Sequence, residues 1–174
     1  PSVVLLHELV GAGARVIGSA GSDHKVAYVR ERCGFDAAFN YKTTDLDQAL
    51  RSHCPNGIDM YFDNVGGATL EAALRHANVG ARFPVCGMIS AYIDVGDTGI
   101  KGLQAVLSKR ITMTGFIIYD HVHKLAAYQA RVAPWLRSGE LVFHEDIVAG
   151  IENAPAALIG MMKGEAIGKR LVQV

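Results

Sequence analysis

The chain has 174 residues, half of them hydrophobic and a fifth charged, enough for one domain of ordinary size with a substantial core. Seventeen Lys and Arg offset seventeen Asp and Glu with no long run of either sign, which disfavours a nucleic-acid partner. Three scattered cysteines and seven scattered histidines argue against a disulfide framework or a zinc site with close ligand pairs, and no apolar run nears bilayer length. No charged-then-apolar leader opens the sequence, so a soluble, cytoplasmic protein without a membrane partner is expected.

In chain order, Val3, Val4, Leu5, Leu6, Leu9 and Val10 predict a helix apolar almost all round, stopped by Gly11 and Gly13. Arg15 to Ser19 reads as a short strand, and Asp23 as the cap of a helix running to Cys33 and ended by Gly34. Strands over Asp36 to Tyr41, Ile58 to Asn64, Ala81 to Gly87 and Ile111 to Ile118 then alternate with helices over Asp45 to His53, Thr69 to Asn78 and Leu103 to Lys109. That rhythm predicts βαβ units and a parallel sheet. From His121 to Arg137 a longer amphipathic helix is expected, with Leu125, Tyr128, Val132, Trp135 and Leu136 on its core-facing stripe. His121 and His123 at its start read as solvated surface residues. Beyond Gly139 the rhythm changes to a strand over Leu141 to Val148, a helix over Ile151 to Lys163 and a strand over Lys169 to Val174. Residues 141–174 therefore read as a return into a second sheet, and residues 1–140 as a nucleotide-binding domain.

Two segments stand just past predicted strands: Asp63-Asn64-Val65-Gly66-Gly67 and Cys86-Gly87-Met88-Ile89-Ser90-Ala91-Tyr92. In open parallel α/β sheets ligands bind beyond the carboxyl ends of the strands. Polar and glycine residues there, on one strand after the next, read as a cofactor rim. A doubly wound domain also needs a first strand and a glycine-rich turn before the first helix. Gly11-Ala12-Gly13 does not supply that turn, because it follows a helix and precedes a strand.

These motifs, together with Gly21-Ser22-Asp23-His24-Lys25-Val26-Ala27-Tyr28, Gly34-Phe35-Asp36, Phe39-Asn40-Tyr41-Lys42, Glu152-Asn153-Ala154-Pro155 and Gly168-Lys169, follow one another in a familiar order. The chain resembles the C-terminal half of the medium-chain dehydrogenase/reductase superfamily. Its look is that of the zinc-independent branch of prostaglandin reductases, leukotriene B4 12-hydroxydehydrogenases and NADPH-dependent alkenal reductases. The resemblance implies an α/β, Rossmann-type doubly wound parallel sheet that lacks its first strand and turn, followed by a return toward a GroES-like substrate domain. It also implies part of an enzyme about twice this length; these 174 residues alone are expected to bind NADPH weakly or to aggregate, and to reduce no enone.

The resemblance assigns NADP(H) as cofactor and a small enone or enal as substrate. Small, uncharged Gly18-Ser19-Ala20-Gly21 at the second-strand end leaves room for a 2′-phosphate where NAD-selective domains carry an acidic residue. The resemblance puts Lys25 and Tyr41 on that phosphate; on spacing alone Lys25 is a solvated helix residue. Asn64, able to donate and accept, is implied on the ribose or nicotinamide side. Cys86, Gly87, Met88, Ile89 and Ser90 are implied to pass the nicotinamide by backbone, and Phe116, Ile117 and Ile118 to hold its carboxamide. Tyr92 is the catalytic residue implied, a hydroxyl donor near the substrate carbonyl. Cys86 carries no activating histidine nearby and reads as a small strand-end residue. Ala166 stands where the family usually has an asparagine that touches the cofactor. The resemblance further implies a homodimer paired through Ile111 to Ile118. A quinone oxidoreductase and a non-catalytic nucleotide-binding module remain as alternatives.

Overall fold

In the computed structural model, which describes residues 8–93 and 99–174 (for Tyr92 and Ile93 the backbone alone), helices and strands alternate along the chain. The elements are β1 (Ile17–Ala20), α1 (Asp23–Glu31), β2 (Ala37–Asn40), α2 (Leu46–His53), β3 (Ile58–Met60), α3 (Gly67–His76), β4 (Ala77–Val85) and α4 (Ile89–Ile93). Then come α5 (Gln104–Ser108), β5 (Thr112–Gly115), α6 (Leu125–Ser138), β6 (Glu145–Ala149), α7 (Ala154–Met162) and β7 (Lys169–Gln173). Every strand pairing is parallel: β1 with β2, β4 between β3 and β5, and β6 with β7. Parallel neighbours need crossover helices, and α1, α3 and α7 fill that role. The architecture is the Rossmann-like α/β arrangement that the alternation predicts. The predicted helix at the start lies mostly outside the described residues; its last turn, residues 8–11, is helical and ends at Gly13 with φ of 78°.

The described chain divides into two compact units, residues 1–40 with 131–174 and residues 41–130. In the second, Ala81 and Phe83 of β4 and Leu70, Ala72, Ala73 and Leu74 of α3 are all buried, several at zero exposure. In the first, Val16, Phe39, Val132, Leu141 and Ala157 are buried. There β6 and β7 form their own two-stranded sheet, in register from Glu145 with Lys169 to Ala149 with Gln173. Arg170 clamps Asp146 across that pair at 2.6 Å.

Several boundaries differ from the sequence reading for local reasons. Ser22, not Asp23, caps α1, because its extended backbone lets Oγ accept from the Lys25 amide at 3.4 Å. The strand expected over Ile111 to Ile118 is only Thr112–Gly115, and Ile118–Lys124 forms a 3-10 helix before α6. His121 and His123 belong to that turn. The stripe on α6 is buried only at Val132; Leu125, Tyr128 and Leu136 are exposed, and Trp135 is half-buried under the Arg131 guanidinium, 5.9 Å from its ring. The segment Ser90-Ala91-Tyr92, read as loop, is helical in α4.

Charge joins two helices of the second unit. Asp45 caps α2 by accepting from the Gln48 amide at 2.8 Å. Asp47, in the first turn, accepts from Arg75 at 2.7 and 3.0 Å and lies 2.8 Å from the His76 ring, both on α3. The C-terminal carbonyls of α3 at Leu74 and Arg75 accept from the Lys109 ammonium, a cation at the negative end of a helix. The Arg75 guanidinium, aided by His76 and opposed by partial burial, holds the Asp47 carboxyl at about 2, below its ordinary 3.8. A carboxyl depressed in the folded state stabilises above its unfolded value and loses that contribution as pH falls toward its folded one. Asp47→Asn is therefore expected to melt lower than the parent near neutral pH, and the two melting temperatures to converge as pH falls from about 4 to about 2.

Candidate functional site

The strand ends of the second unit build one corner. Beyond β3, Asp63 pairs with Val85 in an isolated bridge, so the chain stays beside β4 until both strands finish. Its Oδ1 then accepts from the amides of Val65 and Gly66, each at 2.9 Å, and from the Tyr61 hydroxyl at 3.3 Å. An aspartate that takes backbone amides two and three residues ahead makes a tight turn. Gly66 adopts φ of 71° and ψ of −153°, a conformation open in practice to glycine alone. The Tyr61 ring lies tilted against Phe83 at 5.3 Å, and burial, then the adjacent Asp63 carboxylate, raises its phenol pKa against the opposing bond from Thr69.

The Cys86 to Ser90 segment is bonded to this turn along its length. The Cys86 and Gly87 amides donate to the Asp63 carbonyl, the Ile89 amide to Asn64, and the Ser90 amide and hydroxyl to Val65, the last at 2.6 Å. A Cβ on Gly87 would lie 3.3 Å from the Asn64 carbonyl, and one on Gly66 3.2 Å from Ser90 Oγ. Gly87 lets the segment approach the Asn64 backbone, and Gly66 lets the turn approach the Ser90 and Met88 side chains. The sequence-predicted residues Asn64, Cys86, Gly87, Met88, Ile89 and Ser90 thus share one rim, with Asn64 and Ile89 exposed. Phe116 is drawn to the same corner, its amide donating to Val85 and its ring edge-on to Phe62 at 6.3 Å. Ile117 and Ile118 are not sheet residues as expected: the strand stops at Gly115, and they stand 58% and 56% exposed. Tyr92 follows on α4, and its side chain lies outside the described residues.

A second corner lies in the other unit. Strand β1 ends in Ala20 with no acidic residue, and α1 begins three residues later. A cavity of about 290 Å³ beside α1 is lined by Ala20, Lys25, Cys33, Ala166 and Gly168 among others. The Lys25 ammonium donates to the Gly164 carbonyl across 139 positions of sequence. Ala166, the departure from the family pattern, therefore lines the same cavity as Lys25. Asp23, whose charge would oppose a phosphate, is engaged by the Asn40 amide at 2.7 Å. Burial raises the Cys33 thiol, against the nearby Arg32 charge, so it is not an activated nucleophile. Tyr41, the next residue in sequence after β2, belongs to the second unit and is 37% exposed. The small strand end and the lysine fit a phosphorylated ribose in their donor chemistry.

Sequence reasoning quoted Asp63 but assigned it no role; the signal was an Asp placed three residues before a glycine, the pattern of a side-chain-closed turn. The approach of Gly164 to Lys25 carried no local signal at all.

A nucleotide-binding α/β scaffold with strand-end loops of this kind defines the class. Within it, the family described as zinc-binding dehydrogenase matches residues 4–136, and the chain belongs to it. The chain is 44% identical over 163 residues to a 2-alkenal reductase (NADP(+)-dependent) of Nicotiana tabacum, covering 93% of this chain and 48% of that protein. It is 43% identical over 163 residues to a (+)-pulegone reductase of Mentha piperita, with coverage of 93% and 48%. The crystal structure of CurA from Vibrio vulnificus in complex with NADPH superposes with a TM-score of 0.92 at 38% identity, covering 99% of this chain and 53% of that one. These likenesses place it in the NADPH-reductase branch of the medium-chain dehydrogenase/reductase superfamily. The chain spans about half the length of the curated relatives it matches. Although the family is named for zinc, no three His, Cys, Asp or Glu side chains converge among the described residues.

The turn gives a direct test. Gly66→Ala adds a methyl in a glycine-only conformation, against Ser90 Oγ and Met88, and is expected to destabilise by ~1–3 kcal/mol, read as a lowered melting temperature.

Proposed function

We propose that the intact protein is an NADPH-dependent, zinc-independent reductase of the carbon–carbon double bond in conjugated ketones and aldehydes. The observation that carries the cofactor choice is the corner at Ala20, where an uncharged strand end and the Lys25 ammonium meet at one cavity. The substrate class follows the relatives, one named for 2-alkenals and one for pulegone, itself a conjugated enone. When bound, NADPH supplies a hydride to the β-carbon of such a substrate.

The chain's own residues divide the remaining work. Lys25 and Tyr41 hold the 2′-phosphate, and Ala20 and Ala166 leave it room. Asn64 and the backbone of Cys86 to Ser90 orient the nicotinamide side, with the Phe116 to Ile118 main chain at the carboxamide. Tyr92 donates its hydroxyl to the substrate oxygen, where negative charge builds as the double bond is reduced. Residues 141–174 return toward a substrate domain, and the protein works in the cytoplasm. With Ala166 in place of an amide side chain, one cofactor hydrogen bond is missing.

Lys25→Ala is expected to weaken NADPH binding by ~1–3 kcal/mol, the range for a hydrogen bond to a charged group, and to leave NADH binding nearly unchanged. Titration of both cofactors into the intact protein measures this; equal losses would refute the phosphate assignment. A quinone reductase would instead turn over quinones faster than enones in the same assay.

Self-association is proposed through β5. It is the outer strand of the β3–β4–β5 sheet, and Thr112, Met113, Thr114 and Gly115 carry none of the charges that protect free edges. Sedimentation of the intact protein at micromolar concentration is expected to show a dimer, and Thr114→Lys to shift it toward monomer.

A further inference from the structure

The Asp63 carboxylate has zero exposure, an expensive place for a charge unless it is well used. Its two oxygens are used very unequally. Oδ1 gathers the Val65 and Gly66 amides and the Tyr61 hydroxyl, while Oδ2 is buried with no donor among the described residues. The carboxylate is thus committed to the turn and to nothing on its other side within the described chain. The backbone of the same residue does the opposite work. Its carbonyl takes the Cys86 and Gly87 amides, and its amide donates to Pro84. One residue therefore holds the Asn64 turn by its side chain and the Cys86 segment by its main chain. The contact is completed two residues on, where Val65, whose amide Asp63 fixes, accepts from Ser90 twice.

We propose that Asp63 is a positioning residue that makes the Asn64 turn and the Cys86–Ser90 segment move as one body, and so sets the shape of the nicotinamide-side rim. The inference rests on the cofactor reading above for its functional meaning but not for its geometry. Removing the Oδ1 acceptor leaves the buried Gly66 amide and the part-buried Val65 amide unpartnered, and Val65 is released from the place where it receives Ser90. The disturbance then crosses from one strand end to the next without Asp63 touching the cofactor.

The test compares Asp63→Ala with Asp63→Asn in the intact protein, by amide hydrogen exchange without cofactor and by NADPH titration. In Asp63→Ala, exchange at Val65, Gly66, Ile89 and Ser90 is expected to quicken together by about tenfold or more, with the β1–β2 amides unchanged, as for a local opening. NADPH affinity is expected to fall by about tenfold, the equivalent of one strong hydrogen bond. Asp63→Asn keeps a weaker acceptor and is expected to show the same joint change at a few-fold; it carries the test alone if the alanine variant does not fold. Faster exchange at Val65 and Gly66 with Ile89 and Ser90 unmoved overturns the proposal, as does uniform quickening over the whole protein. If the parent binds no NADPH, the cofactor reading fails while the exchange pattern still decides the role of Asp63.

Discussion

Everything at the β3–β4 strand ends depends on how Asp63 is satisfied. A buried carboxylate without donors would be intolerable, and here the donors are backbone amides only two and three residues ahead. That local solution closes the turn, forces Gly66 into a conformation that other residues avoid, and points Asn64 outward. Because the Asp63 main chain is at the same time hydrogen-bonded beside Val85, the turn cannot form without setting the height of the next segment. A rim built this way is made of backbone, whose donors and acceptors are rigidly placed. Electrostatic recognition gains most from groups that need no reorganisation when the ligand arrives.

The corner beside α1 works by a different principle. In the proposed cofactor site it acts by omission, Ala20 leaving open the strand-end place where an acidic side chain would set a negative charge, with Ala166 and Gly168 keeping the lining small. Arg32 and Glu140 also line the cavity, and Lys25 is held there by the Gly164 carbonyl. A lysine so tied has lost part of its side-chain freedom before any ligand arrives, which lowers the entropic cost of binding. Around both corners the ion pairs are peripheral. Asp47 with Arg75 joins two helices of its unit, and Asp146 with Arg170 joins β6 to β7, Asp146 also accepting from the backbone of Ile167 in the cavity lining.

The sequence alone was enough for the order of strands and helices, the parallel pairing and the two strand-end motifs. These follow from hydrophobic period and from glycine and polar residues at element boundaries, which are local properties. Lys25, Asn64 and the Cys86 segment stand out as candidates for the same reason, with the family likeness behind them. Edges were less legible: Ile117 and Ile118 have strand-like composition, yet the chain turns into a 3-10 helix there, because β-propensity reports a half-buried surface and these residues have none to join. The α6 stripe misled similarly, since periodicity marks an apolar face without saying what covers it. Only the tertiary structure decided that Asp63 spends one oxygen on its own turn, that Ser90 reaches back to Val65, and that the Gly164 carbonyl comes to Lys25. Those are contacts between residues 25 to 139 positions apart, or choices between two chemically identical oxygens, and neither leaves a trace in local pattern.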